Sequence, residues 1–244
     1  MPSRLEKTLI VMPAFNEEAS VRAVVLEVRE KLLGVAVLVV DDGSRDRTAD
    51  EARAGGALVA TLPFNLGVGG AMRTGFRYAR ENGFANVVQI DSDGQHDPSS
   101  VPALLAALDE GADLVLGARF AGEGDYHVRG PRRWAMMILA GVLSRAAGTR
   151  LTDTTSGYRA SGPAAVRLFA EHYPAEYLGD TIDALVIATR AKCVVRQIPV
   201  SMRARAGGIP SHNPMRAAAY LGRATLALVF AFARPASTFA THGD

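Results

Sequence analysis

The sequence predicts an α/β fold: a mostly parallel, doubly wound sheet with helices on both faces. Three observations predict it. Short apolar runs rich in Val and Leu recur along the first half of the chain, each closed by Pro, Gly, Asp or Asn. These runs are continuous rather than alternating, as suits strands buried on both faces. Segments of helical periodicity separate them, and strands alternating with helices imply a parallel layered sheet over residues 8–118.

In order, TLIVMPA (8–14) is the first strand. EEASVRAVVLEVREKLLG (17–34) puts Val21, Val24, Val25, Val28 and Leu32 on one face and stops at Gly34, which makes an amphipathic helix. VAVLVVDD (35–42) is the second strand, with RDRTADEARAGG (45–56) as the helix behind it. ALVAT (57–61) and ANVVQID (85–91) are the third and fourth strands, separated by the helical GGAMRTGFRYAREN (69–82). DPSSVPALLAALDEG (97–111) has an Asp/Ser entry, an early Pro and a terminal Gly, a good helix start and stop. ADLVLGA (112–118) is the fifth strand. Beyond it come a Gly-rich loop (121–130), a helix opened by Pro and closed by Gly (131–148), a strand CVVRQIPVSMR (193–203) and a final helix (213–234). No repeat, low-complexity tract or long linker divides the chain, so its halves read as one continuous domain.

The length of 244 residues is ample for a core, and the formal charge of +2 argues against a nucleic-acid binder. A single cysteine, Cys193, forbids an internal disulfide and fits a reducing compartment. The first residues lack the apolar core and cleavage site of a signal peptide. No apolar run reaches the ~18 residues of a membrane span. The nearest, ATLALVFAFA, covers only residues 224–233.

In open α/β sheets ligands bind beyond the carboxyl ends of the strands, and the polar signals fall there. PAFNEE (13–18) follows the first strand, DDGSRDRT (41–48) the second and DSDGQHDP (91–98) the fourth. Any one of these could be helix capping, because Asn, Asp and Ser satisfy first-turn N–H groups. Three carboxylate-bearing loops on one sheet edge favour a ligand site. Asp91 and Asp93 are one residue apart, so a turn there aims both at one pocket. Carboxylate oxygens suit Mg²⁺ or Mn²⁺, with phosphate oxygens and water completing the shell. His96 is a further candidate ligand, although a polar loop histidine is more often solvated. NLGVGGAMRTG (65–75) is neither a P-loop nor a dinucleotide fingerprint.

Taken in order, PAFNEE, VDDGSRDRT, NLGVGGAMRTG, DSDGQHDP and DTTSGYRA resemble the motifs of family-2 glycosyltransferases, most of all the dolichyl- or polyprenyl-phosphate sugar synthases. The resemblance covers most of residues 8–212. It implies a glycosyltransferase A fold, a UDP- or GDP-linked sugar donor, a divalent metal and a polyprenyl-phosphate acceptor. Pro13, Phe15 and Glu17 match the first donor-contacting loop, where Tyr is commoner than Phe15. Val40 and Asp42 match positions that contact base and ribose. Asp91, Asp93 and Gln95 match the metal-binding motif. Arg119 matches an arginine that handles the acceptor phosphate, and Arg132 or Arg133 a second basic position. Arg205 resembles a basic residue in a late loop over the donor, with Arg203 as the alternative.

Asp93 and Arg119 are thus expected at the reaction centre. Asp153 joins them, to orient the acceptor, act as base or simply cap its turn; Asp180 and Asp183 are weaker acidic candidates. The resemblance divides the chain into a catalytic part, 1–212, and an amphipathic helix with tail, 213–244, packed on it or lying at a membrane. A lipid acceptor implies a peripheral place at the inner, cytoplasmic face of the cell membrane. The partner there is the lipid surface or a small membrane protein, and a homo-oligomer stays open. In 131–148, Trp134, Met137, Ile138, Gly141, Val142 and Arg145 share helical spacing, and Arg216, Tyr220, Arg223 and Arg234 flank the apolar run of the last helix. Such faces suit an interface or a buried contact. Two rival functions remain: a soluble family-2 transferase with a hydroxyl acceptor, and a non-catalytic nucleotide-sugar binding module.

Overall fold

The computed structural model describes residues 4–118, 140–174 and 180–203. Seven strands form one sheet: β1 (Thr8–Ala14), β2 (Ala36–Asp41), β3 (Leu58–Thr61), β4 (Asn86–Gln89), β5 (Leu114–Ala118), β6 (Arg159–Ser161) and β7 (Val195–Pro199). Their order is β3-β2-β1-β4-β6-β5-β7. All described neighbours are parallel except β6, which runs antiparallel to both β4 and β5.

Side chains of a strand alternate between faces, and β1 supplies both sides of the core. Leu9 and Val11 enter one apolar cluster with Val40 of β2; Ile10 and Met12 enter the other with Val37 and Val39. The first cluster is covered by α3 (Gly67–Glu81), α6 (Pro163–His172) and α7 (Asp180–Arg190), and by Leu143 from α5 (140–147). The second is covered by α1 (Val21–Lys31), α2 (Thr48–Ala54) and α4 (Val101–Asp109). The sheet is therefore doubly wound, as expected. The expected face of α1 is buried: Val21, Val24, Val25 and Val28, with Leu32 just beyond.

Some elements differ from expectation. β3 is half exposed because it is the edge strand, so burial on both faces fails there. β6, α6 and α7 were not anticipated. The helix expected over 131–148 is seen over 140–147; its first part and the helix expected over 213–234 lie outside the described residues, as does the division at 212/213.

Two packing details fix the site's floor. α3 lies close on β1 at Gly75, where a Cβ would stand 2.4 Å from Val11 Cγ1. Proline in a central strand normally costs a ladder bond, yet Pro13 sits in β1 between β2 and β4. The ladder from β1 to β4 has already ended, its last bond being Ile90 N–H to Val11 O. Pro13 points the same way, and its carbonyl accepts instead from Ser92 Oγ at 3.1 Å. That bond ties the loop after β4 to the end of β1.

Candidate active site

β1 is flanked by β2 on one side and β4 on the other, so chain order reverses there. A crevice at such a switch point is where an open α/β sheet takes its ligand. The antiparallel β6 adds to this edge: its first residue, Arg159, pairs with Gln89 of β4 and Leu116 of β5. An antiparallel strand begins where its parallel neighbours end, so residues 153–158 reach the same edge as the three acidic loops.

The first two loops are stitched together. Asn16 N–H donates to Ser44 Oγ at 2.9 Å, and Arg45 N–H donates to Asn16 Oδ1 at 2.9 Å. Glu17 N–H donates to Thr48 Oγ1 at 2.8 Å, and Arg47 N–H to Glu18 Oε2 at 3.0 Å. Asn16 has φ 56°, a left-handed conformation that Asn tolerates better than most residues. Phe15 stands 41% exposed at the tip. Glu17, expected at the donor, accepts from Ser20 Oγ at 2.8 Å.

The second loop uses its acids internally. Asp41 accepts from Ser44 N–H at 3.0 Å. Asp42 puts Oδ1 on Leu66 N–H at 2.7 Å and Oδ2 on Gly67 N–H at 2.8 Å, capping α3. Burial pushes the Asp42 carboxyl up, the two backbone bonds pull it down, and Asp41 raises it again; the net direction is upward. Val40 is fully buried beneath α3. Both residues matched to base and ribose contacts thus have structural tasks here. Gly43, at φ +71°, lets this loop approach the next: a Cβ would stand 2.8 Å from the Phe64 backbone.

The loop after β4 separates its three carboxylates. Asp91 lies on the open side, with its side chain 37% exposed, and its Oδ1 accepts from Gln89 Nε2 at 3.2 Å. Asp93 is 8% exposed, and its Oδ1 accepts from Gln95 N–H at 3.0 Å. Asp97 faces the other way. It caps the turn through Ser99 N–H at 2.9 Å and pairs with Lys31 at 3.0 Å and Arg203 at 2.8 Å. Burial alone would raise the Asp97 carboxyl, but these bonds outweigh it and hold it well below the usual carboxylate range.

His96 is the residue most misjudged from sequence. It is 2% exposed, not solvated, and stacks on Tyr158 with ring centres 4.6 Å apart. Its Nδ1 accepts from Asp91 N–H at 3.0 Å. Tyr158 in turn donates its hydroxyl to Asp97 O at 2.7 Å. Burial pushes the Tyr158 phenol well above its ordinary value, so it acts here as a donor. A local sequence pattern carries no sign of this stack, which joins residues sixty positions apart.

Asp153 caps its own turn, accepting from Thr155 N–H at 3.2 Å and Thr155 Oγ1 at 3.0 Å. Arg159, also missed, is buried and donates to the carbonyls of Ser156, Thr181 and Thr154. It thereby ties the 153–158 turn to α7, which carries Asp180 and Asp183. Arg203 donates its N–H to Gln95 O at 2.9 Å and its guanidinium to Glu27 and Asp97. Of the two late basic candidates it is therefore a structural clasp. Arg119, Arg132, Arg133 and Arg205 lie outside the described residues, Arg119 directly after the end of β5.

A divalent cation fits what is present. Gly157 leaves space beside Asp91: a Cβ there would stand 3.3 Å from Asp91 Oδ2 and 3.5 Å from Oδ1. Among the described residues no three His, Cys, Asp or Glu side chains form a cage. Two carboxylates on one turn, beside an open cradle, suit a hard cation that completes its shell with phosphate oxygens and water. Asp91, Asp93 and Gln95 are the residues that would hold it.

Comparison with known proteins gives the chain's relatives. The sequence matches the profile of Glycosyl transferase family 2 over residues 9–171. It is 35% identical over 162 residues to the polyprenol monophosphomannose synthase of Mycolicibacterium smegmatis, a match that spans 64% of this chain and 61% of the relative. It is 37% identical over 161 residues to the undecaprenyl-phosphate mannosyltransferase of Micrococcus luteus, spanning 63% of this chain and 65% of that one. The chain thus spans a little under two thirds of the length of both relatives. Among solved structures, it resembles glucosyl-3-phosphoglycerate synthase of Mycobacterium tuberculosis in complex with Mn²⁺, UDP and glucosyl-3-phosphoglycerate. The TM-score is 0.71 at 25% identity, over 93% of this chain and 80% of that one.

Proposed function

This chain belongs to glycosyl transferase family 2, and from that premise we propose that it transfers a sugar, with inversion, from a nucleotide-sugar donor to a polyprenyl phosphate. The single observation that carries this reading is that Asp91 and Asp93 both lie on the turn that follows β4, at the switch point of the sheet. Asp91, Asp93 and Gln95 would hold Mg²⁺ or Mn²⁺. When bound, the cation supplies Lewis-acid stabilisation of the charge that develops on the departing diphosphate.

The chain's own residues do the remainder. The stitched loops after β1 and β2 form a rigid wall for the donor, with Phe15 exposed at its tip for contact. A phosphate acceptor is already anionic near neutral pH, so no strong base is needed. This suits Asp153, whose Oδ1 already receives two bonds within its own turn. Arg119, the next residue in sequence after β5, would pair with the acceptor phosphate, which the guanidinium fork fits. Arg132 or Arg133 would assist it, and Arg205 would meet the donor. Among the described residues no helix is long and apolar enough to cross a membrane. A peripheral place at the inner face of the cell membrane, on the lipid or on a small membrane protein, fits a lipid acceptor.

A second reading has its own support. The solved relative holds glucosyl-3-phosphoglycerate, a small polar molecule, so a water-soluble acceptor is the rival. The deciding experiment is a turnover assay with UDP- and GDP-sugars and Mn²⁺, offering undecaprenyl phosphate and 3-phosphoglycerate in parallel. Transfer to the lipid that disappears in chelator and in Asp93→Ala is expected. Transfer to phosphoglycerate alone would replace the lipid reading, and undiminished activity of Asp93→Ala would overturn the metal assignment.

A further inference from the structure

The His96 ring closes the turn 91–96 on itself: Asp91 N–H donates to Nδ1 at 3.0 Å. An Nδ1 that accepts carries no proton, so the neutral ring has its proton on Nε2. That nitrogen stands 3.6 Å from Asp91 Oδ2. The separation is too long for a hydrogen bond, so the ring holds Asp91 through its backbone N–H. Gln89 Nε2 holds the other oxygen at 3.2 Å.

The ring itself has no freedom. It is 2% exposed and lies nearly parallel to Tyr158, at an interplanar angle of 13°. Tyr158 is anchored through its hydroxyl to Asp97 O, and the His96 backbone forms a bridge with Met202. Three separate stretches of chain thus fix one imidazole against the backbone of Asp91. Neither nitrogen is offered as a ligand: Nδ1 is occupied, and Nε2 bears the proton.

Resting on the metal reading above, we propose that His96 is a positioning residue that sets Asp91 in the orientation in which it meets the divalent cation. Groups that orient metal ligands from behind typically contribute 10- to 100-fold to metal affinity. Asp93 needs no such aid from the ring, because its Oδ1 is held by Gln95 N–H within the turn.

The test is Mn²⁺ binding by the full chain, read as loss of the free-ion paramagnetic resonance signal, with UDP and with GDP in parallel. Circular dichroism monitors the fold. His96→Phe keeps a ring on Tyr158 and removes both nitrogens. His96→Gln keeps an amide near the Nε2 position but lacks the Nδ1 acceptor; His96→Asn places an amide oxygen near Nδ1. The expected result is Mn²⁺ affinity weakened about tenfold or more in the Phe and Gln variants, with partial recovery in Asn. A purely structural role would lower thermal stability and leave the Mn²⁺ affinity of the folded variants unchanged, which would overturn this proposal. Should the Phe variant not fold, the Gln variant decides alone, and should neither fold, a wild-type affinity in folded His96→Ala would overturn it. Wild-type protein that binds no Mn²⁺, or binds it equally as Asp93→Ala, would instead overturn the metal reading and this inference with it.

Discussion

Asp42 sits at the end of β2 with both carboxylate oxygens on backbone N–H groups at the start of α3, in a site where water does not compete. Removing such an acceptor leaves two donors unmet, a loss of roughly 2 kcal/mol by the usual cost of a helix cap or an orphaned buried group. Asp42→Ala should therefore lower the free energy of unfolding by about that amount, measured in urea; a change below about 0.5 kcal/mol would show that the cap is dispensable. Legibility at this scale varied with chemistry. A lone D-x-D is a weak signal, and Asp91 and Asp93 draw their weight from the other acidic loops at the same sheet edge and from the ordered family motifs. Asp42 and Val40 were assigned to the donor by position alone, and only the fold reveals their packing tasks. His96 was read as solvated because nothing in its own neighbourhood announces Tyr158 above it. Asp97 reads as a helix entry and caps its turn as expected, but its partners Lys31 and Arg203, from α1 and from the chain after β7, leave no local sign.

The clasp around Asp97 joins whole elements: α1 through Lys31 and Glu27, the turn after β4, and the segment following β7 through Arg203. Burial opposes ionisation of Asp97, but its bonds win and its folded pKa is depressed. A depressed acid contributes stability that is complete above its unfolded pKa of about 4 and is lost as the pH falls from there toward its own lower value. Glu27 shifts in the same direction. Between pH 7 and pH 3 the urea midpoint should fall more steeply in wild type than in Asp97→Asn, which lacks the titrating group; parallel falls would remove Asp97 from the account. The contact of α3 with β1 gives a second test. Gly75→Ala gains about 1 kcal/mol in helix propensity but forces a Cβ to 2.4 Å from the stiff Val11 side chain, and overpacking of this kind costs about 1–3 kcal/mol. Net destabilisation is expected, relieved by adding Val11→Ala; a stabilised single variant would mean the helix shifts freely. The five parallel strands of the first half were legible because each is a short continuous apolar run closed by a turn residue, although β3 at the edge is only half buried. β6 was not: three residues, one of them a buried arginine satisfied by carbonyls, make no strand pattern. α6 did leave a sign in Gly162-Pro163 and the apolar positions Ala165, Val166, Phe169 and Ala170, a start and a face like those by which α4 was found.

For the whole molecule, sequence periodicity yields layers but not strand order, because placing β6 between β4 and β5 depends on pairings 70–74 residues apart with β4 and 43–47 apart with β5. The doubly wound sheet was therefore legible as a class, and the antiparallel insertion that carries residues 153–158 to the site was not. The relation of this body to a lipid is the remaining consequence of the proposed function. A helix rises 1.5 Å per residue, so the apolar run 224–233 would cover about 15 Å, half of a hydrocarbon core. Such a helix lies along a bilayer and does not cross it. Arg216 and Arg223 precede the run at helical spacing, and a basic residue near an anionic surface is worth about 1 kcal/mol. Losing both attractions would weaken binding by about 2 kcal/mol, roughly 30-fold. The attraction is screened over about 10 Å at 0.1 M salt, so binding should be reversible. In flotation with vesicles containing phosphatidylglycerol, the intact protein should rise at low salt and be released at high salt, while Arg216→Glu/Arg223→Glu should stay at the bottom in both. If wild type also stays at the bottom at low salt, direct lipid contact is refuted and a partner subunit, or a soluble acceptor, becomes the better explanation. If both proteins rise equally, the apolar run carries the attachment and the arginines do not.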